Sequence, residues 1–501
     1  MSITGPGSIT AASVAAQTSM MNQLNTLGEE LSSGEAAQTY SDLGAQAGVA
    51  VALGAQLSNI SGYSSTATTV GTTLSIAQSV LGQLGDASTA VQQAVSQQGQ
   101  FVLDNTGQTS IQESAASYLD EIVSLLNTQV GGNYIFSGSA VNQPSVASAS
   151  TILNGTGTQA GLIQLTAQRQ QADLGANGLG RLTVGGTGTD VTLSADGSPF
   201  GFQLAGVNSG LTGATVSGPS GSPPSISVNL GSTNPNSGDS ISFNLTLPDG
   251  SSQTITLQAT TDSPPGADQF TIGASPSATA ANMQTALTGA ITSLAQTALP
   301  AASAIAAAND FFSSDPPQVV AGPPYDTATS LVSGTPANTV FWYTGENGST
   351  PALQTATAQV GPSMSIAYGM RATEPAIASL VANVAALAAA TYSASNPNAQ
   401  ASYDALSQSV VANLSGQPGA QSISDIQANI ASAQQTVTNA GNLNTQTQTT
   451  LQDMLQGIEG VNQNQIGEDL LTLQNNLSAS MSVTARLAQL SLVNYLAPVS
   501  G

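Results

Sequence analysis

Residues 72–95 read TTLSIAQSVLGQLGDASTAVQQAV, and the spacing of their apolar residues predicts a long paired helix. Steps of three and four residues alternate along the stretch, which places these side chains on one helix face. The seven positions are Leu74, Ala77, Leu81, Leu84, Ser88, Val91 and Val95, of which only Ser88 is polar. A helix with such a stripe needs a second helix to cover it.

Similar stripes recur near both ends of the chain. On the N-terminal side they are Val14, Met21, Leu24 and Leu31, then Ile111, Ala115, Leu119, Ile122 and Leu126. On the C-terminal side they are Ile423, Ile426, Ile430, Ala433, Val437 and Ala440, then Ile466, Leu470, Leu473, Leu477, Leu487 and Leu490. Proline is absent from 11–130 and from 419–497. The simplest packing lays these terminal rods against each other.

The middle of the chain has the pattern of strands and turns. SISFNLTLPDGSSQTITLQA (240–259) predicts two strands joined around Pro248-Asp249-Gly250. Helices are expected at 277–297 and 299–312, and a strand at 338–346. A further helix within 372–392 is expected to start with Thr373 as its cap and Pro375 in its first turn.

The expected fold class is therefore α+β, with long paired N- and C-terminal helical rods that bracket a β-rich, mixed insertion. We predict a terminal helical domain (1–42 with 460–501), a helical rod domain (43–140 with 418–459) and a solvent-facing α/β insertion (141–417) of one or two subdomains. In GGNYIFSGS (131–139), the two glycines are expected to stop the helix. The following short strand would pack Tyr134 or Phe136 back on the rods.

Composition excludes several classes of function. The chain has 501 residues, with 27 acidic residues, four arginines and no lysine, for a net charge of −23. With so few cations the chain cannot neutralise the phosphates of a partner, which argues against nucleic acid and anionic membranes as partners. No run approaches the roughly 18 apolar residues of a membrane span.

Cysteine and histidine are both absent. Their absence excludes disulfides, zinc sites and thiol or imidazole catalysis, so we expect no enzyme, no cofactor and no metal site. The N-terminal sequence lacks the basic and apolar regions of a secretory signal peptide. We expect a cytoplasmic protein, or one exported without a cleaved signal.

Three motifs resemble the N-terminal region of bacterial flagellins, in the same order. They are Leu31-Ser32-Ser33-Gly34, Ser41-Asp42-Leu43-Gly44-Ala45 and Ser75-Ile76-Ala77-Gln78. ASMSVTARLAQLSLVNYL (479–496) resembles the C-terminal helix of the same superfamily. Within this superfamily, two other stretches resemble hook–filament junction proteins, the third hook-associated proteins. They are LNTQVGGNYIFSGS (126–139) and YGMRATEPA (368–376). Filament flagellin is the close alternative, favoured by the length of the insertion.

This resemblance implies a structural subunit of the bacterial flagellum. Such subunits are exported unfolded through the type III channel without signal cleavage, and their terminal helices form an inner tube outside the cell. The implied partners are further copies of the chain, other axial proteins (hook-associated proteins and flagellin) and an export chaperone. A secreted adhesin with a helical stalk is the alternative of another class, although the tandem repeats and export signal it would need are not seen.

The expected working residues lie at interfaces. For assembly they are Leu24, Leu31, Leu470, Leu473, Leu477, Leu487 and Leu490. For the rod core they are Leu74, Leu81, Leu84, Ile423, Ile426 and Ile430, with Tyr134 and Phe136 in the hairpin. The family often carries Lys or Arg after LSSG, where this chain has Gly34-Glu35-Ala36-Ala37-Gln38. Because cations are so few, polymer stability should depend weakly on salt.

Overall fold

The computed structural model describes residues 6–37, 39–41, 43–97 and 101–495. Within these ranges the chain forms eleven α-helices. They are α1 (Pro6–Ser33), α2 (Ala47–Ser96), α3 (Ser110–Leu126), α4 (Ala149–Asn154), α5 (Leu162–Leu174), α6 (Pro276–Gln296), α7 (Ala298–Phe312), α8 (Pro375–Ala389), α9 (Ala399–Leu414), α10 (Ile423–Glu459) and α11 (Gln463–Tyr495).

The strands lie between α3 and α8. They are β1 (Gln129–Val130), β2 (Asn133–Tyr134), β3 (Leu182–Gly185), β4 (Asp190–Ala195), β5 (Gln203–Ser209), β6 (Thr215–Ser220), β7 (Ser225–Asn229), β8 (Ser240–Thr246), β9 (Ser252–Thr260), β10 (Gln269–Thr271), β11 (Gln318–Val320), β12 (Leu331–Ser333), β13 (Thr357–Gly361) and β14 (Met364–Ala367). The protein is thus α+β, with long terminal helices around a strand-rich centre, as the sequence predicts.

The chain divides into two compact units. The first unit comprises Met1–Val70, Ala358–Ile366 and Thr436–Gly501, and the second comprises Gly71–Thr357 and Ala367–Gln435. Helices α2 and α10 each contribute residues to both units. The three-part division made from the sequence stays a prediction.

The first unit is built on paired long helices. Helix α1 packs along α11. The N-terminal part of α2 packs on the C-terminal part of α10 through a cluster that includes Leu53, Ile60 and Leu451. The β13–β14 sheet adds to this unit, where Asn444 donates a hydrogen bond to the carbonyl of Val360 at 2.8 Å.

The second unit contains two four-stranded sheets, with strand orders β3-β4-β7-β6 and β10-β9-β8-β5. Alternating strand residues such as Ile241, Phe243 and Leu245 are buried, together with Met283 and Leu287 of α6, in one core. The predicted hairpin is confirmed, because β8 and β9 pair antiparallel from Ser240↔Gln258 to Thr246↔Ser252. Strand β10 pairs parallel to β9.

Two expectations in this unit are wrong. Residues 338–346 form no strand, because only isolated bridges connect Thr339 to Ala160 and Tyr343 to Val146. Helix α8 has Pro375 in its first turn, but its N-cap is Glu374 and no side-chain cap bond is made there. Thr373 therefore lies one residue too early to act as the cap. The rest of the helix predicted within 372–392 is confirmed, because Leu380, Val384 and Leu387 are buried.

Candidate functional site

The terminal helices α1 and α11 form an antiparallel pair. Gln17 Nε2 of α1 donates to Thr484 Oγ1 of α11 at 2.9 Å, and further on Leu27 and Leu473 line one groove, so the two helices run in opposite directions. Half-buried or buried positions advance along both helices in steps of three and four. The positions with this spacing are Ser13, Gln17, Met20, Leu24 and Leu27 on α1, and Ile466, Leu470, Leu473, Leu477, Ser480 and Thr484 on α11. We call these residues the terminal seam.

The predicted assembly leucines separate into two groups. Leu24, Leu470, Leu473 and Leu477 lie half-buried in the terminal seam, where they face the partner helix of the same chain. Leu31 and Leu487 are 37% and 38% exposed. The side chain of Leu490 lies outside the described residues. Their role in assembly stays a prediction.

Large apolar side chains outside the terminal seam are open to solvent in this unit. Val14 and Met21, which the sequence analysis placed on a helical stripe, are 54% and 51% exposed, so the α1 stripe follows Met20 and Leu27 instead. On α11 the exposed residues besides Leu487 are Leu471, Met481 and Val483. A helix pair that leaves such side chains in water has apolar area available for a further partner.

An open groove follows one side of the α1–α11 pair. Leu27 and Leu473 contribute apolar surface, and Glu30 and Asp469 are its two carboxylates. Its other lining residues carry hydroxyls and amides, apart from Ala15: Thr18, Ser19, Asn22, Gln23, Thr26, Thr472 and Asn476. The volume open to water is about 930 Å³. We call it the terminal groove.

The predicted rod core lies in the second unit. Leu74, Leu81 and Leu84 of α2 are completely buried. On α10, Ile426 and Ile430 are buried and Ile423 is half-buried. Gln434 Nε2 donates to Ser75 Oγ at 2.9 Å, which places α10 beside α2. The burial therefore follows the heptad stripe on α2.

The stretch GGNYIFSGS supplies the turn and the second strand of a hairpin, although the glycines do not stop the helix as expected. Helix α3 already ends at Leu126 with Asn127 as its C-cap. Gly131 and Gly132, with φ of +61° and +85°, form the two-residue turn between β1 and β2. Consecutive residues with positive φ suit such a turn, because their twist matches that of the strands.

The hairpin leads directly into a contact with a distant segment. Gly138 N donates to Met370 O and Ala372 N donates to Phe136 O, both at 2.9 Å. The two stretches that carry the junction-type resemblance, 126–139 and 368–376, thus lie side by side. Phe136 is fully buried and lines a cavity of about 30 Å³ with Ile426 and Ile430, while Tyr134 is half-buried.

Three of the four arginines are buried in ion pairs of the second unit. Arg169 pairs with Asp173 and Asp310, Arg181 with Asp196 and Arg371 with Glu346. Burial raises the pKa of Asp310 to about 6. The Arg169 guanidinium lowers this pKa in part, and the like charge of Asp173 raises it further. Burial also raises the pKa of Asp173.

Gln112 is a structural residue that the sequence analysis missed. It completes a capping box with Thr109 at the start of α3 and is completely buried. Its Nε2 also donates to the carbonyls of Leu387 and Ala390 at the end of α8, at 3.0 and 2.6 Å. The Thr-x-x-Gln spacing signals the cap, but no sequence pattern signals the bonds to α8.

The described ranges contain no group of three His, Cys, Asp or Glu side chains placed to hold a metal ion. Among the described helices, none is by itself long and apolar enough to span a membrane. Helices α6 and α7 meet that criterion only together, with a bend of 43° between them. Most of α7 lies in the core of the second unit.

Comparison with known proteins agrees with the N-terminal resemblance. No curated protein matches the chain significantly. Residues 8–141 match the family model of the bacterial flagellin N-terminal helical region. The matched range runs from α1 through the β1–β2 hairpin. The N-terminal part of this chain is therefore similar to the N-terminal helical region of bacterial flagellins, which supports the bacterial flagellin superfamily.

Proposed function

We propose that the protein is a structural subunit of the bacterial flagellum, located at the hook–filament junction, which polymerises through its terminal helices. The observation that carries this proposal is the α1–α11 pair, which lies partly within the flagellin-type region and exposes Val14, Met21 and Leu471. Exposed apolar side chains on paired helices are covered at low cost by further helices. In this proposal the subunit works outside the cell after export without signal cleavage.

The junction location is supported by the hairpin. The two junction-type stretches are joined by backbone hydrogen bonds at Phe136 and Gly138, and Phe136 packs beside α10. The two stretches that resemble junction proteins therefore form one small structural element. The proposed partners are copies of the chain, hook-associated proteins, flagellin and an export chaperone.

Filament flagellin is the second candidate. The observation in its favour is the size of the second unit, which holds two four-stranded sheets and most of the helices. A long region of this kind suits a subunit that faces solvent along an entire filament.

Immunogold electron microscopy of intact cells, with antibody against residues 140–415, tests the location. We expect a short band of gold where hook meets filament. Gold along the whole length would show a filament subunit instead. If no flagellar structure is labelled, the flagellar proposal fails and the helical-stalk adhesin becomes the better reading.

A further inference from the structure

The terminal groove has two carboxylates and no cation. Glu30 of α1 and Asp469 of α11 line the same end of it, and neither forms an ion pair within the described chain. Two like charges along one groove repel each other, and a guanidinium placed between them would relieve the repulsion with charge-assisted hydrogen bonds.

Only one arginine of the chain is available for that role. Arg169, Arg181 and Arg371 are at most 8% exposed and are held in ion pairs of the second unit. Arg486 lies exposed on α11 and pairs with no acid among the described residues. Since the chain has no lysine, Arg486 is the one side-chain cation that a copy of this protein can present at its surface.

Arg486 cannot reach the carboxylates of its own chain. It lies 17 residues beyond Asp469 on the same helix, which is about 25 Å along the axis at roughly 1.5 Å per residue. An arginine side chain spans far less than this distance. The complementary charges can therefore meet only between two copies.

We propose that Arg486 of one copy enters the Glu30–Asp469 end of the terminal groove of a neighbouring parallel copy. This inference rests on the proposed polymer, because a repeated contact between two different surfaces produces an open chain of subunits when its rotation does not close. The pair sets the stagger between these neighbours at about 25 Å along the helix axis, from the same helical rise. It also leaves one ion pair per contact, consistent with weak dependence on salt.

Charge exchange tests this contact in sedimentation assays of the purified full chain. Arg486→Asp should raise the critical concentration for polymerisation about 3- to 10-fold, since it replaces an attraction by a repulsion at each contact. Arg486→Gln should raise it less. The double variant Arg486→Asp with Asp469→Arg should restore it in part, because Glu30 keeps its negative charge beside the exchanged pair. The matched control pairs Arg486→Asp with Asp453→Arg, which has equal charge but puts its cation on α10 outside the groove, and it should stay impaired.

The outcomes separate this inference from the proposed function. If the wild-type chain polymerises under no condition, the proposed function itself is contradicted. If wild type polymerises and Arg486→Asp does so at the same concentration, the inference is wrong and the function stands. Equal rescue by both double variants would also overturn it, because net charge alone would then explain the effect. A reconstructed polymer must further show neighbours staggered by about 25 Å, as the helical rise requires.

Discussion

At the scale of single residues, the most consequential group is the set of three side chains Arg169, Asp173 and Asp310. One guanidinium serves two carboxylates, and Asp173 also accepts a hydrogen bond from Gly201 N at 2.9 Å. Asp310 contacts the same guanidinium through Arg169 Nη1. Its proton is bound more tightly in the folded than in the unfolded chain, because its pKa is raised from 3.8 to about 6.

This shift predicts that the contribution of Asp310 to the stability of the second unit grows on mild acidification. The contribution of Asp310 is complete below about pH 3.8 and is lost as the pH rises through about 6. Asp310→Asn should therefore raise the unfolding temperature of this unit at pH 7.5 by about 2–4 °C. The gain should shrink as the pH falls through this window and vanish below about pH 3.8. Calorimetry across this pH range measures both effects.

Asp196 offers a control of opposite sign. Burial raises its pKa, but hydrogen bonds from Ser198 and the Arg181 guanidinium outweigh that and bring the pKa below its ordinary value. Asp196→Asn should lower stability at neutral pH. If both variants change the unfolding temperature in the same direction at pH 7.5, the interpretation of Asp310 fails.

At the scale of elements, the turn of the β1–β2 hairpin depends on positive φ at Gly131 and Gly132. No atom lies within 4 Å of a Cβ added at Gly132, so its φ of +85° is the only obstacle to a side chain. Gly132→Val should destabilise the protein by about 1–2 kcal/mol, since a β-branched residue strongly disfavours positive φ. Gly132→Asn should cost less because Asn tolerates this region. Urea unfolding of the two variants makes the comparison, and equal losses would contradict the argument.

Elements with strong periodicity were predictable from the sequence, and those made by tertiary contacts were not. Apart from the half-buried Ser88, the stripe from Leu74 to Val95 is buried along α2, because its spacing places these residues on one face. The segment around Thr339 and Tyr343 has strand-like composition, but its backbone meets Ala160 and Val146 only at single bridges. Nothing local in the sequence encodes such partners.

The candidate site also contains residues that periodicity predicts and residues that only the packing of the two helices determines. Periodicity identified Leu470, Leu473 and Leu477 as one face of α11. It misplaced the α1 stripe at Val14 and Met21, because apolar residues on α1 are sparse and polar Ser13 and Gln17 occupy terminal seam positions instead. Which apolar residues face the partner helix and which remain exposed depends on the pairing itself.

At the scale of the whole molecule, one charged substitution should block assembly while the second unit still folds. Leu477→Asp puts a carboxylate into the terminal seam at a cost of about 1–3 kcal/mol. We expect it to block polymerisation and reduce α1–α11 pairing while the thermal transition of the second unit stays unchanged. Sedimentation and circular dichroism measure the two effects.

Leu471→Asp provides the matched variant, because Leu471 is 64% exposed and lies outside the terminal seam. It should leave the helicity of the free subunit intact and still weaken polymerisation. Normal filaments from Leu477→Asp would refute the assignment of this face of α11.

The burial of three arginines in ion pairs also determines where a protease can cut the folded protein. An enzyme that cuts after lysine or arginine finds Arg486 as the one exposed target in the described chain, because lysine is absent and the other arginines are enclosed. Backbone inside a packed core is cut only when it opens. Brief trypsin treatment should therefore trim the folded protein within α11, whereas the unfolded chain is cleaved at all four arginines.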